Sequence, residues 1–63
     1  MTVQFIGKYD TITEELTKDQ LINIVRERFS RHISILSFRI ELNGGKKEWI
    51  GYDYGINQTI KIK

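Results

Sequence analysis

The chain has 63 residues and a formal net charge of +2, with 40% hydrophobic and 29% charged residues and no cysteine. A chain of this length has room for one small core, so we expect a single domain over residues 1–63. Without cysteine it can form neither a disulfide nor a cysteine-based zinc site. No Asp/Asn/Gly calcium loop appears either, so we expect no metal and no cofactor. The small positive charge does not by itself indicate nucleic acid.

The N-terminus has neither the basic region nor the apolar run of a signal peptide. No segment approaches the about 20 apolar residues that a membrane-spanning helix needs. We therefore expect a cytoplasmic protein, which the absence of cysteine fits. The chain also lacks alanine and proline and is rich in isoleucine and lysine, which indicates an AT-rich gene such as those of low-GC bacteria, their phages, plasmids or some archaea.

The first element predicted is a strand over residues 2–9, where Val3 and Phe5 are the candidates for the inward face. Gly7 weakens the alternation and marks a bulge or the end of the strand. Residues 10–15 leave three alternatives open. They extend the strand, form a second short strand around Ile12, or begin the following helix early.

A helix is predicted to follow, because Thr17 and Gln20 have the spacing of a capping box, with Leu16 and Leu21 at the positions of a hydrophobic staple. Its inward stripe consists of Leu21, Ile24, Val25, Arg28, Phe29 and His32. We expect the helix to end near His32, where the apolar period changes from 3.6 to 2.

From residue 33 onward, apolar residues recur mainly at even positions, which is the side-chain period of a strand. Asn43-Gly44-Gly45 predicts a three-residue hairpin loop, because asparagine and glycine tolerate positive φ. This loop would put Glu41 opposite Lys47. A second loop at Gly55-Ile56-Asn57 would put Tyr52 opposite Ile60 and Ile50 opposite Ile62.

The predicted fold is therefore α+β, a two-layer β-α-β-β-β arrangement with one helix packed on a small, mostly antiparallel sheet. A small closed barrel capped by the helix is the structural alternative. The expected core consists of Phe5, Leu21, Val25, Phe29, Leu36, Phe38, Ile40, Ile50, Tyr52, Ile60 and Ile62.

The opposite face of this predicted sheet carries Trp49 among cations, with Arg39 directly across from it. The candidate partner-binding residues are Trp49, Arg39, Lys61, Lys63, Tyr54 and Lys47. An aromatic-cationic surface can stack a nucleic-acid base beside its phosphates, or serve as a hot spot for a protein. It can also be a surface on which Arg39 covers Trp49 by a cation–π contact and nothing binds.

Catalysis is not predicted, since His32 is the only imidazole and falls at the expected helix end, where a cation favours the helix dipole. The main hypothesis is a small protein-binding module, encoded by a phage or mobile element, that inhibits or modulates a host macromolecule by steric occupation. The alternative is a nucleic-acid-binding domain that uses the same face. A homodimer through an open sheet edge is a third possibility.

Overall fold

The structure, a computed structural model, describes residues 1–53 and 56–63. Its elements are β1 (Thr2–Ile6), β2 (Thr11–Glu15), α1 (Lys18–Arg28), α2 (Ile35–Asn43), β3 (Glu48–Asp53) and β4 (Ile56–Ile62). The strands form one antiparallel sheet in the order β2-β1-β4-β3, so β2 and β3 are its edges. The predicted α+β class, with helix packed on an antiparallel sheet, is confirmed. The element order, however, is β-β-α-α-β-β, with two helices instead of one.

The first strand is confirmed, but it ends at Ile6, just before Gly7, instead of at residue 9. Of the three alternatives for residues 10–15, the second strand is the observed one. The Gly7 amide donates to the Asp10 carbonyl at 2.8 Å, which closes the hairpin between β1 and β2. Val3 and Phe5 face the core, as predicted. All five residues of β2 are exposed, so this edge strand extends beyond the cover of the helices.

The start of α1 is also confirmed, because both halves of the capping box form. The Gln20 amide donates to Thr17 Oγ1 at 3.1 Å, and the Thr17 amide donates to Gln20 Oε1 at 2.9 Å. The helix ends at Arg28, one turn before the predicted end at His32. Its inward side buries Leu21, Ile22 and Val25 against the sheet.

The predicted strand and hairpin loop between residues 35 and 45 are wrong, because residues 35–43 form α2. The Ser34 hydroxyl caps the first turn by accepting from the Ser37 amide. At the other end, the Lys46 amide donates to the Glu41 carbonyl at 2.9 Å and the Gly45 amide to the Leu42 carbonyl at 3.2 Å. With Gly45 at φ 94°, these bonds make a Schellman motif.

The apolar residues of α2 fit the period of a strand and also that of a helix. Residues four positions apart lie on the same face of a strand and on the same face of a helix. Phe38 and Leu42, at spacing i and i+4, are buried. Leu36 and Ile40, which share the same even parity, are 71% and 65% exposed on the opposite side of the helix. Only half of the predicted inward set therefore reaches the core.

The pairing of β3 with β4 differs from the predicted register by three residues. Trp49 lies opposite Ile60 and Ile50 opposite Thr59, instead of Tyr52 opposite Ile60 and Ile50 opposite Ile62. A shift by an odd number of residues exchanges the two faces of a strand. Trp49 consequently faces the core.

The core is one cluster formed by the sheet's inner face and both helices. Its buried members are Val3, Phe5, Leu21, Ile22, Val25, Phe29, Ile33, Phe38, Leu42, Trp49 and Ile60. Burial is confirmed for the predicted core residues Phe5, Leu21, Val25, Phe29, Phe38 and Ile60, while Ile62 is half-buried against the cluster. The prediction was wrong for the four exposed residues Leu36, Ile40, Ile50 and Tyr52.

Candidate protein-interaction surfaces

The predicted aromatic-cationic surface does not assemble. Trp49 is only 5% exposed, and its ring centroid lies 4.5 Å from that of Phe38 inside the core. Arg39 belongs to α2 rather than to a strand beside Trp49. Tyr54, the other predicted anchor, lies outside the described residues. The placement of Trp49 on an exposed sheet face is therefore wrong.

The predicted lysines are exposed, but they do not gather around an aromatic anchor. Lys61 lies on the outer sheet face, opposite Glu48 on one side and Gln4 on the other. Lys63 continues β4, and its amide donates to the Thr2 carbonyl. Lys47 precedes β3, and the expected pairing of Glu41 with Lys47 is wrong. Because Trp49 is buried, it cannot be the ring on which the nucleic-acid alternative expected a base to stack.

Glu41 instead connects the end of α2 to the core. Its Oε1 accepts from the Trp49 indole Nε1 at 3.3 Å, and its Oε2 forms an ion pair with Lys46 Nζ at 3.0 Å. The same Lys46 ammonium lies 5.8 Å from the centroid of the Trp49 ring. The Lys46 hydrogen bond, followed by that from Trp49, holds the pKa of Glu41 below its ordinary value of 4.5.

This lowered pKa predicts a pH-dependent contribution of Glu41 to stability. Because folding favours the ionised form, the contribution is present above pH 4.5 and is lost as the pH falls through the lower pKa of the folded state. Urea unfolding of the wild type and Glu41→Gln, followed by Trp49 fluorescence, should show a stability difference that shrinks on acidification. Lys46→Met should lose most of this pH dependence, because only the Trp49 hydrogen bond then favours the ionised form. A difference between wild type and Glu41→Gln that stays constant from neutral pH to acid would contradict this assignment.

The outer side of α2 carries four exposed residues at spacing i, i+3, i+4 and i+7. This surface, which we call the α2 stripe, consists of Leu36, Arg39, Ile40 and Asn43. The Lys18 ammonium of α1 donates to Asn43 Oδ1 at 2.9 Å, which brings a second cation to the C-terminal end of the stripe. The α2 stripe was not predicted, because residues 35–42 were expected to form a strand. Its i, i+3, i+4, i+7 spacing is nevertheless present in the sequence.

The edge of β3 is a second candidate surface. The Ile62 amide donates to the Lys47 carbonyl at 2.8 Å. Every second residue counted from Lys47 along β3 therefore directs its backbone N–H and C=O groups toward β4. The alternate residues Glu48, Ile50 and Tyr52 then direct their N–H and C=O groups away from the sheet. Within the described ranges, these groups form no hydrogen bond with another segment.

A groove of about 440 Å³ lies beside this edge, between β3 and α2. Its lining includes His32, Ser34 and Ser37. The His32 ring packs against the Tyr52 ring, with centroids 4.7 Å apart, and among the described residues no hydrogen bond joins His32 to either serine. A nucleophile activated by a general base requires such a bond. The groove therefore does not display the geometry of a catalytic pair.

Comparison of the chain with models of protein families, with curated proteins and with solved structures gives no match. Over residues 1–53 and 56–63, neither helix has the length and apolar character needed to cross a membrane. In the same ranges, no three His, Asp or Glu residues lie close enough to hold a metal ion. What the fold defines is a small two-layer α+β domain with two open sheet edges and the α2 stripe exposed on its outer helix face.

Proposed function

We propose that this chain is a non-enzymatic protein-binding module that inserts the α2 stripe into an apolar groove of a larger protein. The observation that carries the proposal is the exposure of Leu36 and Ile40, at 71% and 65%, one turn apart on the same helix face. Helix-in-groove recognition uses anchors at this spacing. The module would act by steric occupation, covering a surface that its partner needs for another interaction.

The energetics favour such a contact. Full burial of a leucine or isoleucine side chain contributes about 1.5–3 kcal/mol relative to leaving it exposed. The helix that carries both anchors is fixed at its N-terminus by Ser34 and at its C-terminus by the Schellman motif at Gly45. A preformed helix reduces the ordering cost that binding must offset. Most of the free energy gained by burying Leu36 and Ile40 is therefore available for affinity.

The charges around the stripe indicate the chemistry of the partner. Arg39 lies between the two apolar anchors, and Lys18 reaches Asn43 at the end of the stripe. A groove edged by aspartate or glutamate would complement these cations and accelerate association. Arg39 thus keeps the steering role predicted from the sequence, but on a helix instead of a sheet.

The biological setting that we propose is the cytoplasm of a host cell, with the chain encoded by a phage or mobile element and acting as an inhibitor of a host or defence protein. The support is the amino-acid composition, which lacks alanine and proline and is rich in isoleucine and lysine, as expected for the product of an AT-rich gene.

The test compares capture of partners by the wild type, by Leu36→Glu/Ile40→Glu and by the control Ile12→Glu. Ile12 is a half-exposed apolar residue on β2, away from the α2 stripe. We expect the double variant to lose the captured protein and the control to retain it, with Trp49 fluorescence showing that all three are folded. A photo-crosslinker at position 40 should then join the chain to that protein. Equal recovery by wild type and double variant would overturn the proposal.

The nucleic-acid alternative is separated by its salt dependence. Binding to DNA or RNA weakens log-linearly with salt, because it releases condensed counterions. Anisotropy of a labelled oligonucleotide at low salt should show no binding if the proposed function is correct. Steep, salt-sensitive binding that Leu36→Glu/Ile40→Glu leaves intact would favour nucleic acid instead.

A further inference from the structure

We propose that two copies of this chain associate by antiparallel pairing of their β3 strands about a two-fold axis at Ile50. The two four-stranded sheets would join into one continuous sheet. This inference concerns the β3 edge and does not depend on the function proposed for the α2 stripe.

The backbone of β3 is arranged for this pairing. Glu48, Ile50 and Tyr52 point their N–H and C=O groups outward, as the Ile62–Lys47 hydrogen bond requires. With the axis at Ile50, Ile50 meets its own copy, and Glu48 meets Tyr52 of the second copy. Each of these positions is a hydrogen-bonded pair that exchanges two bonds. Every outward-pointing group of β3 thereby finds a partner.

The side chains on the outer face are self-complementary in the same register. Ile50, which is 67% exposed, would pack against Ile50 of the second copy. The Glu48 carboxylate would lie opposite the Tyr52 phenol, which is a hydrogen-bond donor. The Tyr52 ring packs against the His32 ring at this edge. Cross-strand apolar and hydrogen-bonded pairs of this kind stabilise sheets.

The inner face adds a second complementarity. Trp49 would lie opposite Gly51 of the second copy, which has no side chain to meet the indole. A shift of the axis to Trp49 would put two indoles opposite each other and Ile50 opposite Glu48. The register about Ile50 avoids both conflicts.

The other open edge is less suited to self-association. The Leu16 amide donates to the Met1 carbonyl, so by the same alternation Thr11, Thr13 and Glu15 point their backbone groups outward from β2. Pairing two β2 strands about Thr13 would place Ile12 opposite Glu14 of the second copy. The Ile12 side chain would then face the Glu14 carboxylate, so the contact would bury a charged group and would stabilise the pair little.

The test measures mass by sedimentation equilibrium from about 10 µM to about 1 mM, where mass action exposes weak association. The wild type should approach twice 7.5 kDa. Ile50→Lys and Ile50→Glu should each raise the dissociation constant about 100-fold or more, because like charges would lie opposite each other. An equimolar mixture of the two variants should recover the dimer, since Lys and Glu then face one another across the axis.

Ile12→Lys, the same substitution on the other edge strand, is the matched control and should dimerise like the wild type. Far-UV circular dichroism and Trp49 fluorescence verify that each variant is folded. A wild type that remains at 7.5 kDa throughout would overturn the proposal. So would dimerisation of Ile50→Lys at wild-type strength, or loss of the dimer only in Ile12→Lys.

Discussion

Replacement of Trp49 by alanine should lower the free energy of unfolding by about 3–5 kcal/mol, the usual cost of removing a large buried aromatic side chain. The indole packs against the Phe38 ring in the core, and Trp49 lies opposite the fully buried Ile60 of β4. Its N–H also donates to the Glu41 carboxylate, so the carboxylate loses a donor as well. The total stability of a 63-residue chain is about 3–9 kcal/mol. Trp49→Ala should therefore lose about a third or more of the stability of the fold.

The measurement is urea unfolding followed by far-UV circular dichroism, because the variant lacks the only tryptophan. Trp49→Phe is the graded control, since it keeps an aromatic ring in the core and should lose less. Ile50→Ala, one residue along the same strand but mostly exposed, should change stability by no more than about 0.5 kcal/mol. An unchanged urea midpoint for Trp49→Ala would show that the indole is not in the core. A binding defect of Trp49→Ala reports unfolding and does not locate a binding site.

Gly51→Val should also be strongly destabilising, by about 3 kcal/mol, with Gly51→Ala costing about 1–2 kcal/mol. A Cβ atom at this position would lie 2.9 Å from Phe29 Cδ1 and 2.9 Å from Ile33 Cδ1. The Phe29 ring is fully buried and stacks on Phe5 with centroids 6.5 Å apart, so it has little room to retreat. Glycine at this position lets the end of α1 approach the sheet closely.

A double-mutant cycle with Ile33→Ala tests whether steric contact is the cause. Truncation of Ile33 removes one of the two close atoms, so Gly51→Ala should cost less in that background, with a coupling of about 0.5 kcal/mol or more. Thermal unfolding of the four proteins provides the values. Additive effects, or stabilisation by Gly51→Ala alone, would exclude this close approach as the reason for the glycine.

The N-terminal half of the fold was predictable because its signals are local. The capping box at Thr17 is a hydrogen-bond pattern between neighbouring residues, so the sequence identifies it directly. The inward positions Val3 and Phe5 followed from simple alternation. Residues 10–15 remained open because a fully exposed edge strand carries no apolar pattern to distinguish it.

The misassignment of α2 has a specific physical origin. Phe38 and Leu42 satisfy both the strand period and the i, i+4 spacing of a helix, so alternation alone could not decide. Asn43-Gly44-Gly45 is a turn signal for a hairpin, but glycine at positive φ also ends helices. Ser34, placed to cap a helix that starts at residue 35, was the signal that could have decided between them.

The error at Trp49 followed from the two hairpin loops predicted before and after β3, of which the first does not form because residues 35–43 are helical. A register is determined by where the strands begin to pair, and an offset of three residues reversed the faces of β3. Of the candidate site, the sequence correctly identified Arg39, Lys61 and Lys63 as exposed cations, because charged side chains are rarely buried. The α2 stripe was missed, because its members share a surface only if the segment is helical and residues 35–42 were predicted to form a strand.

The position of Glu41 has a consequence for how the molecule opens. Its backbone carbonyl anchors the turn at Lys46, while its carboxylate holds both the Lys46 ammonium and the Trp49 indole. Fraying of the last turn of α2 therefore displaces the carboxylate that accepts from the indole N–H, and displacement of the indole removes a contact of that turn. We expect the end of the helix and the beginning of β3 to open as one cooperative unit, with hydrogen exchange of their amides rising together.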